Sequence, residues 1–156
     1  MKNLNNITEE AWKYKDKPGI MSKIFQEAYN DFSGNAAYLF EYANVLDFLG
    51  KETEAIPLYQ KAIKLGLPDK MKIRAEIQLG SSLTVKGEHE SAIAILDRVY
   101  KETADPASLE FLCIALFRSG QTNVALKHAL NFILSGNQGV LPEYSRALSD
   151  YVNEIK

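Results

Sequence analysis

Residues 48–63, FLGKETEAIPLYQKAI, decide the fold because the same pattern returns twice further along the chain. It returns as TVKGEHESAIAILDRV from Thr84 and as FRSGQTNVALKHALNF from Phe117. In each copy a glycine is followed five residues later by an alanine, and four residues after that by a residue on the same helical face. The glycines stand at positions 50, 87 and 120, and such a spacing is typical of stacked helical repeats.

Each copy predicts two amphipathic helices joined by a tight turn. Apolar residues on both sides of the glycine recur at the i, i+3, i+4, i+7 spacing of a helix with one apolar face. Glycine fits the turn because the residue that ends a helix often has a positive φ. The alanine after the turn allows the two helices to approach closely. A single hairpin would leave apolar surface in water, so we expect the copies to stack.

The pattern extends weakly to both ends of the chain. Phe25 lies about one repeat length before Tyr59, which predicts a degenerate first hairpin over residues 6–32. Residues 142–155 have an apolar and a polar face, which predicts a C-terminal helix that covers the last repeat. No stretch alternates with period two, so no sheet is expected. Nine helices are predicted, at about 6–16, 19–32, 36–49, 52–66, 69–86, 88–103, 106–119, 121–135 and 142–155.

Composition disfavours several classes of function. The chain has 156 residues, enough for one domain, and its formal net charge of −2 disfavours binding to nucleic acid. The longest apolar run, residues 111–117, is too short to span a bilayer, so no membrane partner is expected. A single cysteine and the lack of an apolar N-terminal segment favour the cytoplasm.

No residue pattern indicates catalysis or a metal site. Cys113 lies at a small-residue position of its helix, where a buried structural thiol is much commoner than a nucleophile. His89 and His128 are not at ligand spacing, and we expect both at the surface. The glycines lie at hairpin turns rather than in a phosphate-binding loop. We therefore predict no enzyme activity, no cofactor and no metal.

Over about residues 36–135 the sequence resembles the tetratricopeptide repeat family, and its layout is similar to small single-domain bacterial members. Glu76 departs from the pattern, because the family often has a large apolar residue there, and Ala129 stands where an aromatic is usual. The positions that carry the resemblance are Leu39, Tyr42, Ala43, Leu46, Gly50, Ala55, Tyr59 and Ala62 in the first copy, Leu79, Gly80, Leu83, Gly87, Ala92, Leu96 and Val99 in the second, and Leu109, Leu112, Cys113, Leu116, Gly120, Ala125, Ala129 and Phe132 in the third.

The resemblance implies an all-α, right-handed superhelical solenoid in one domain, with repeats at about 36–68, 73–105 and 106–138. It also implies a non-catalytic module that binds a peptide or partner protein in a concave groove lined by the first helix of each hairpin. The implied groove residues are Phe40, Asn44, Asp47, Phe48, Arg74, Gln78, Ser81, Thr84, Glu110, Phe111, Ile114, Phe117 and Arg118.

Two further expectations concern the partner. The peptide-binding subset of the family grips a C-terminal carboxylate with lysine, asparagine and arginine. Only Asn44 matches that set, since Phe40, Ala107 and Phe111 occupy the other sites, so no carboxylate clamp is predicted. Aromatic groove residues instead favour a ligand with apolar anchors. The alternative is a homodimer that uses the groove or a terminal face.

Overall fold

The computed structural model describes residues 3–136, which form eight α-helices and no strand. The helix predicted at 142–155 lies outside the described residues. The other eight predicted helices are present, and the largest difference is at the first, which ends four residues early. The helices are α1 (Leu4–Trp12), α2 (Pro18–Phe32), α3 (Ala36–Phe48), α4 (Glu52–Leu65), α5 (Asp69–Lys86), α6 (His89–Thr103), α7 (Pro106–Arg118) and α8 (Thr122–Leu134).

Polar side chains set the starts of three helices. Asn3 begins α1 by accepting a hydrogen bond from the Asn6 N–H at 2.9 Å, which explains why α1 starts before the predicted residue 6. Asn35 accepts from the Tyr38 N–H at 2.9 Å, and Asp105 accepts from the Ala107 N–H at 2.9 Å. These bonds satisfy amide groups that have no partner inside the helix.

The three repeat glycines end their hairpins' first helices with the same backbone turn. Their φ angles are positive, at 69° for Gly50, 83° for Gly87 and 85° for Gly120. The residue after each glycine donates its N–H to the carbonyl oxygen four residues before the glycine, which closes the helix end. These bonds are Lys51 to Leu46 at 2.9 Å, Glu88 to Leu83 at 2.9 Å and Gln121 to Leu116 at 2.8 Å.

Small residues let the helices of a hairpin pack closely. Ala55 and Ala92 are fully buried, and Ala125 is 6% exposed. In the α5–α6 hairpin a Cβ added at Gly80 would lie only 2.6 Å from Leu96 Cγ, so the two helices approach there more closely than a larger residue at position 80 would permit. Contact between the α5 backbone at Gly80 and the Leu96 side chain therefore adds to the packing of the large apolar residues in this hairpin.

Glu76 shows how the chain accommodates its departure from the apolar pattern. Its side chain is only 9% exposed, and its Oε1 lies 3.1 Å from an Arg98 guanidinium nitrogen on α6. Arg98 also pairs with Glu102 at 3.1 Å. The buried carboxylate thus has a cation partner, which a buried charge requires.

Consecutive hairpins stack so that their first helices lie side by side. Each helix packs against the next along the chain, α3 contacts α5, and α5 contacts α7. Rings of Trp12 on α1 and Phe48 on α3 meet edge to face at 5.2 Å. We call the surface that α1, α3, α5 and α7 share the groove face. None of the helices within residues 3–136 has the length and apolarity needed to cross a membrane.

Candidate interaction groove

Two hydrogen bonds fix the centre of the groove face, one between neighbouring hairpins and one within the α3–α4 hairpin. Ser82 on α5 donates its hydroxyl to Asp47 Oδ1 on α3 at 2.7 Å. Tyr59 on α4 donates its hydroxyl to Asn44 Oδ1 at 2.9 Å. Asn44 and Asp47, two of the four predicted groove residues of α3, therefore each accept a hydrogen bond from within the protein, which helps to hold neighbouring helices together.

Asp47 is half-buried, and its environment disfavours the charged form. Burial raises the pKa of Asp47 above its ordinary value of 3.8, Glu52 raises it further, and the Ser82 hydrogen bond opposes the rise. The folded chain therefore holds the Asp47 proton more tightly than the unfolded chain. This carboxyl lowers stability above its folded pKa, and the cost disappears as pH falls toward 3.8.

We therefore expect Asp47→Asn to gain stability relative to the natural chain as pH rises from about 4 to 7. Asparagine keeps an acceptor oxygen for Ser82 and has no charge to bury. Urea unfolding of both chains at several pH values measures the difference in free energy of unfolding. A difference that stays flat or falls with pH would show that the site does not penalise the carboxylate. Glu90→Asn, at an exposed position of α6, is the control.

Two residues that the register assigns to the groove are buried instead. Phe40 is 0% exposed, with its ring 6.2 Å from the Tyr59 ring and the Arg74 guanidinium 5.6 Å above it. Thr84 is 3% exposed, and its hydroxyl donates to the Gly80 carbonyl of its own helix at 2.8 Å. Neither side chain is open to a partner. Arg74 of the next hairpin lies over the Phe40 ring, and the Thr84 hydroxyl turns back to its own helix.

The other predicted residues are open to solvent at least in part. On α5, Arg74 is exposed and Gln78 and Ser81 are half-buried. On α7, Phe117 is 63% exposed and Ile114 44%, Phe111 is half-buried, and Glu110 and Arg118 are exposed. Phe48 on α3 is 54% exposed. The predicted residues of α5 are therefore polar, whereas those of α7 include two exposed apolar side chains, Ile114 and Phe117.

Sequence reasoning missed two exposed apolar residues on this face. Val85 on α5 is 54% exposed, and Trp12 on α1 is 37% exposed beside Phe48. Val85 and Phe48 both stand two residues before their repeat glycine. Because Phe48 was assigned to the groove, the repeat register alone could have assigned Val85 to it as well. Trp12 was harder to assign to this face, because its hairpin lacks the repeat glycine that sets the register.

Comparison with known families agrees with this architecture. A family model described as "Tetratrico peptide repeat" matches residues 36–155. The chain belongs to the tetratricopeptide repeat family. The match begins at α3, so α1 and α2 of this tetratricopeptide repeat protein precede the matched region. It confirms the predicted all-α helical repeat fold, and the family is in general one of protein-interaction modules. No curated protein was similar enough to count as a match.

The titratable groups of this tetratricopeptide repeat protein show no catalytic arrangement within residues 3–136. The Cys113 thiol is half-buried and donates to the Ala125 carbonyl at 3.6 Å. Burial raises the pKa of this thiol, which disfavours the reactive thiolate form. His89 and His128 are both partly exposed, and they lie on different helices. Over the same residues no three His, Cys, Asp or Glu side chains gather as a metal site would need.

Proposed function

We propose that this tetratricopeptide repeat protein is a non-catalytic module that binds a peptide or partner helix along the groove face. The observation that carries the proposal is the exposure of Phe117 and Ile114 on α7, at 63% and 44%. Large apolar side chains that share one helical face and stay in water often mark a binding site. Their spacing of three residues suits contact with an extended strand or a helix.

The polar surroundings supply specificity in this proposal. Glu110 and Arg118 lie on the same helix as the apolar pair, and Gln78 and Ser81 on α5 offer hydrogen bonds beside it. An apolar centre within a polar rim is the usual anatomy of an interface. A grip on a C-terminal carboxylate is not part of the proposal, because Asn44 is bonded to Tyr59 and Phe40 is buried.

Selection of peptides on the purified full chain, followed by a binding titration, tests the proposal. We expect the double variant Ile114→Ala/Phe117→Ala to weaken the selected peptide by about tenfold or more, since apolar anchors commonly contribute above 1 kcal/mol each. The matched control is Ile20→Ala on α2, which is also 44% exposed but lies on a second helix. Equal affinities for the natural chain and the double variant would refute the proposed groove.

Self-association is the second candidate, because a second copy could cover the same exposed Phe117 and Ile114. Light scattering on the purified chain separates the two. A dimer that the double variant Ile114→Ala/Phe117→Ala converts to monomer supports self-association, and a monomer at all concentrations removes it. In either case we propose the cytoplasm as the location, since a lone thiol suits a reducing compartment.

A further inference from the structure

A cavity of about 330 Å³ opens between α1, α3 and α5, at the opposite end of the groove face from Phe117. It joins three successive hairpins, and its walls divide into two kinds. Leu4, Ala37 and Met71 form an apolar part, while Glu9 and Glu41 bring carboxylates from two different helices. Asn5 and Thr8 complete the lining.

The carboxylates of this cavity have no cation partner within the described part of the chain. Within residues 3–136, neither Glu9 nor Glu41 has a lysine, arginine or histidine partner at ion-pair distance. The Thr8 hydroxyl oxygen is inaccessible to solvent and has no hydrogen-bond partner.

The acids in two other cavities are different. Glu54, in the cavity between α2, α3 and α4, pairs with Lys51 at 3.4 Å. Glu76, in the cavity between α4, α5 and α6, pairs with Arg98 at 3.1 Å. Of these three cavities in the described part of the chain, only the one on the groove face has carboxylates without a lysine or arginine partner.

We infer that the cavity between α1, α3 and α5 receives a basic side chain, lysine or arginine, of the bound partner. The aliphatic stem of such a side chain packs on Leu4, Ala37 and Met71, and its charged end meets Glu9 and Glu41. Long basic side chains bury their stems in this way while the head stays near water. Met71 is unbranched, so it can adapt to either occupant.

This inference rests on the proposed function and specifies the partner's chemistry. It predicts a ligand with a basic residue toward α1 and apolar residues toward α7. Charge complementarity carries it, since two carboxylates without cations attract and orient a positive group.

Nuclear magnetic resonance of the full chain tests the inference with small probes. The probes are Nα-acetyl-lysine-N-methylamide, the arginine equivalent and Nα-acetyl-norleucine-N-methylamide, which keeps the stem and lacks the charge. We expect the Met71 methyl and the amides of α1 and α3 to shift on titration. A basic probe should bind about fivefold or more tighter than norleucine, as one charge pair allows.

Variants decide whether the two carboxylates act. Glu9→Gln/Glu41→Gln should reduce the affinity for the basic probes to that of norleucine, and an unchanged norleucine titration shows that the cavity still forms. Glu10→Gln, exposed on α1 outside the cavity, is the matched control and should change nothing. Equal binding of all three probes, no shift at Met71, or an equal loss with Glu10→Gln overturns the inference.

Failure here is distinguishable from failure of the groove. If the probes miss the cavity while Ile114→Ala/Phe117→Ala still weakens the selected peptide, the groove stands and the basic anchor does not. If the peptide is indifferent to the α7 variants, the proposed function fails whatever the probes do.

Discussion

Replacing Phe40 by alanine is expected to lower the free energy of unfolding by about 3–5 kcal/mol, the usual cost of removing a buried aromatic side chain. Phe40 has no solvent exposure, and its ring lies between Tyr59 of its own hairpin and Arg74 of the next. The substitution therefore leaves a cavity where two hairpins meet. The same residue would cost little to remove if it pointed into an open groove.

Phe117→Ala is the matched comparison, because Phe117 is a phenylalanine of the same predicted groove that is 63% exposed. We expect its free energy of unfolding to stay within about 0.5 kcal/mol of the natural chain. Urea unfolding followed by circular dichroism measures both variants. A small loss of stability for Phe40→Ala together with a large loss for Phe117→Ala would mean that Phe117 is the buried side chain and Phe40 the exposed one.

The second large effect is expected at Gly80. Gly80→Val should lower the free energy of unfolding by about 3 kcal/mol, the upper range for an overpacked core. Its Cβ alone would lie 2.6 Å from Leu96 Cγ and 2.8 Å from Leu96 Cδ2. Leu96 is fully buried, so any shift of its side chain disturbs the packing around it. The better helix propensity of valine offsets only a few tenths of a kcal/mol.

A double-mutant cycle identifies the cause of that loss. Leu96→Ala alone should cost about 2–5 kcal/mol, but Gly80→Val should cost less in its presence, with a coupling of about 1 kcal/mol or more. Gly19→Val on α2 is the control, since no atom lies within 4 Å of its added Cβ. Strict additivity of Gly80→Val and Leu96→Ala would place the origin of the loss elsewhere.

The repeat pattern was sufficient to predict the helices. Periodicity and the turn glycines are local signals, so each helix could be located within a few residues, and α5 (Asp69–Lys86) matches its prediction at both ends. The first helix differed because residues 13–16 form a turn before Pro18, which begins α2. Helix ends depend on single capping groups, whereas helix interiors depend on many residues.

Side-chain exposure could not be predicted from register alone. Phe40, Ile77 and Glu110 all stand ten residues before their repeat glycine, yet the first is 0% exposed, the second 6%, and Glu110 is exposed. Register fixes the direction of a side chain, but the neighbouring hairpin decides what covers it. Arg74, which lies over Phe40, belongs to the next hairpin and is distant in sequence.

The cavity between α1, α3 and α5 was beyond sequence reasoning for a similar reason. Its acids, Glu9 and Glu41, belong to two different hairpins, and Met71 belongs to a third. Each alone is an ordinary surface or half-buried residue. Only the stacking of three hairpins brings them to one opening, so their lack of cation partners becomes visible in the folded chain.

The central claim is that partners bind on the face shared by the first helices. Methyl resonances of the full chain, recorded with the tightest selected peptide, test it most directly. We expect shifts at Ile114 on α7, Val85 on α5 and Met71, with little change at Ile63 on α4 and Ile95 on α6, which line a cavity away from the groove face. Shifts confined to Ile63 and Ile95, with the other three methyls unchanged, would contradict it.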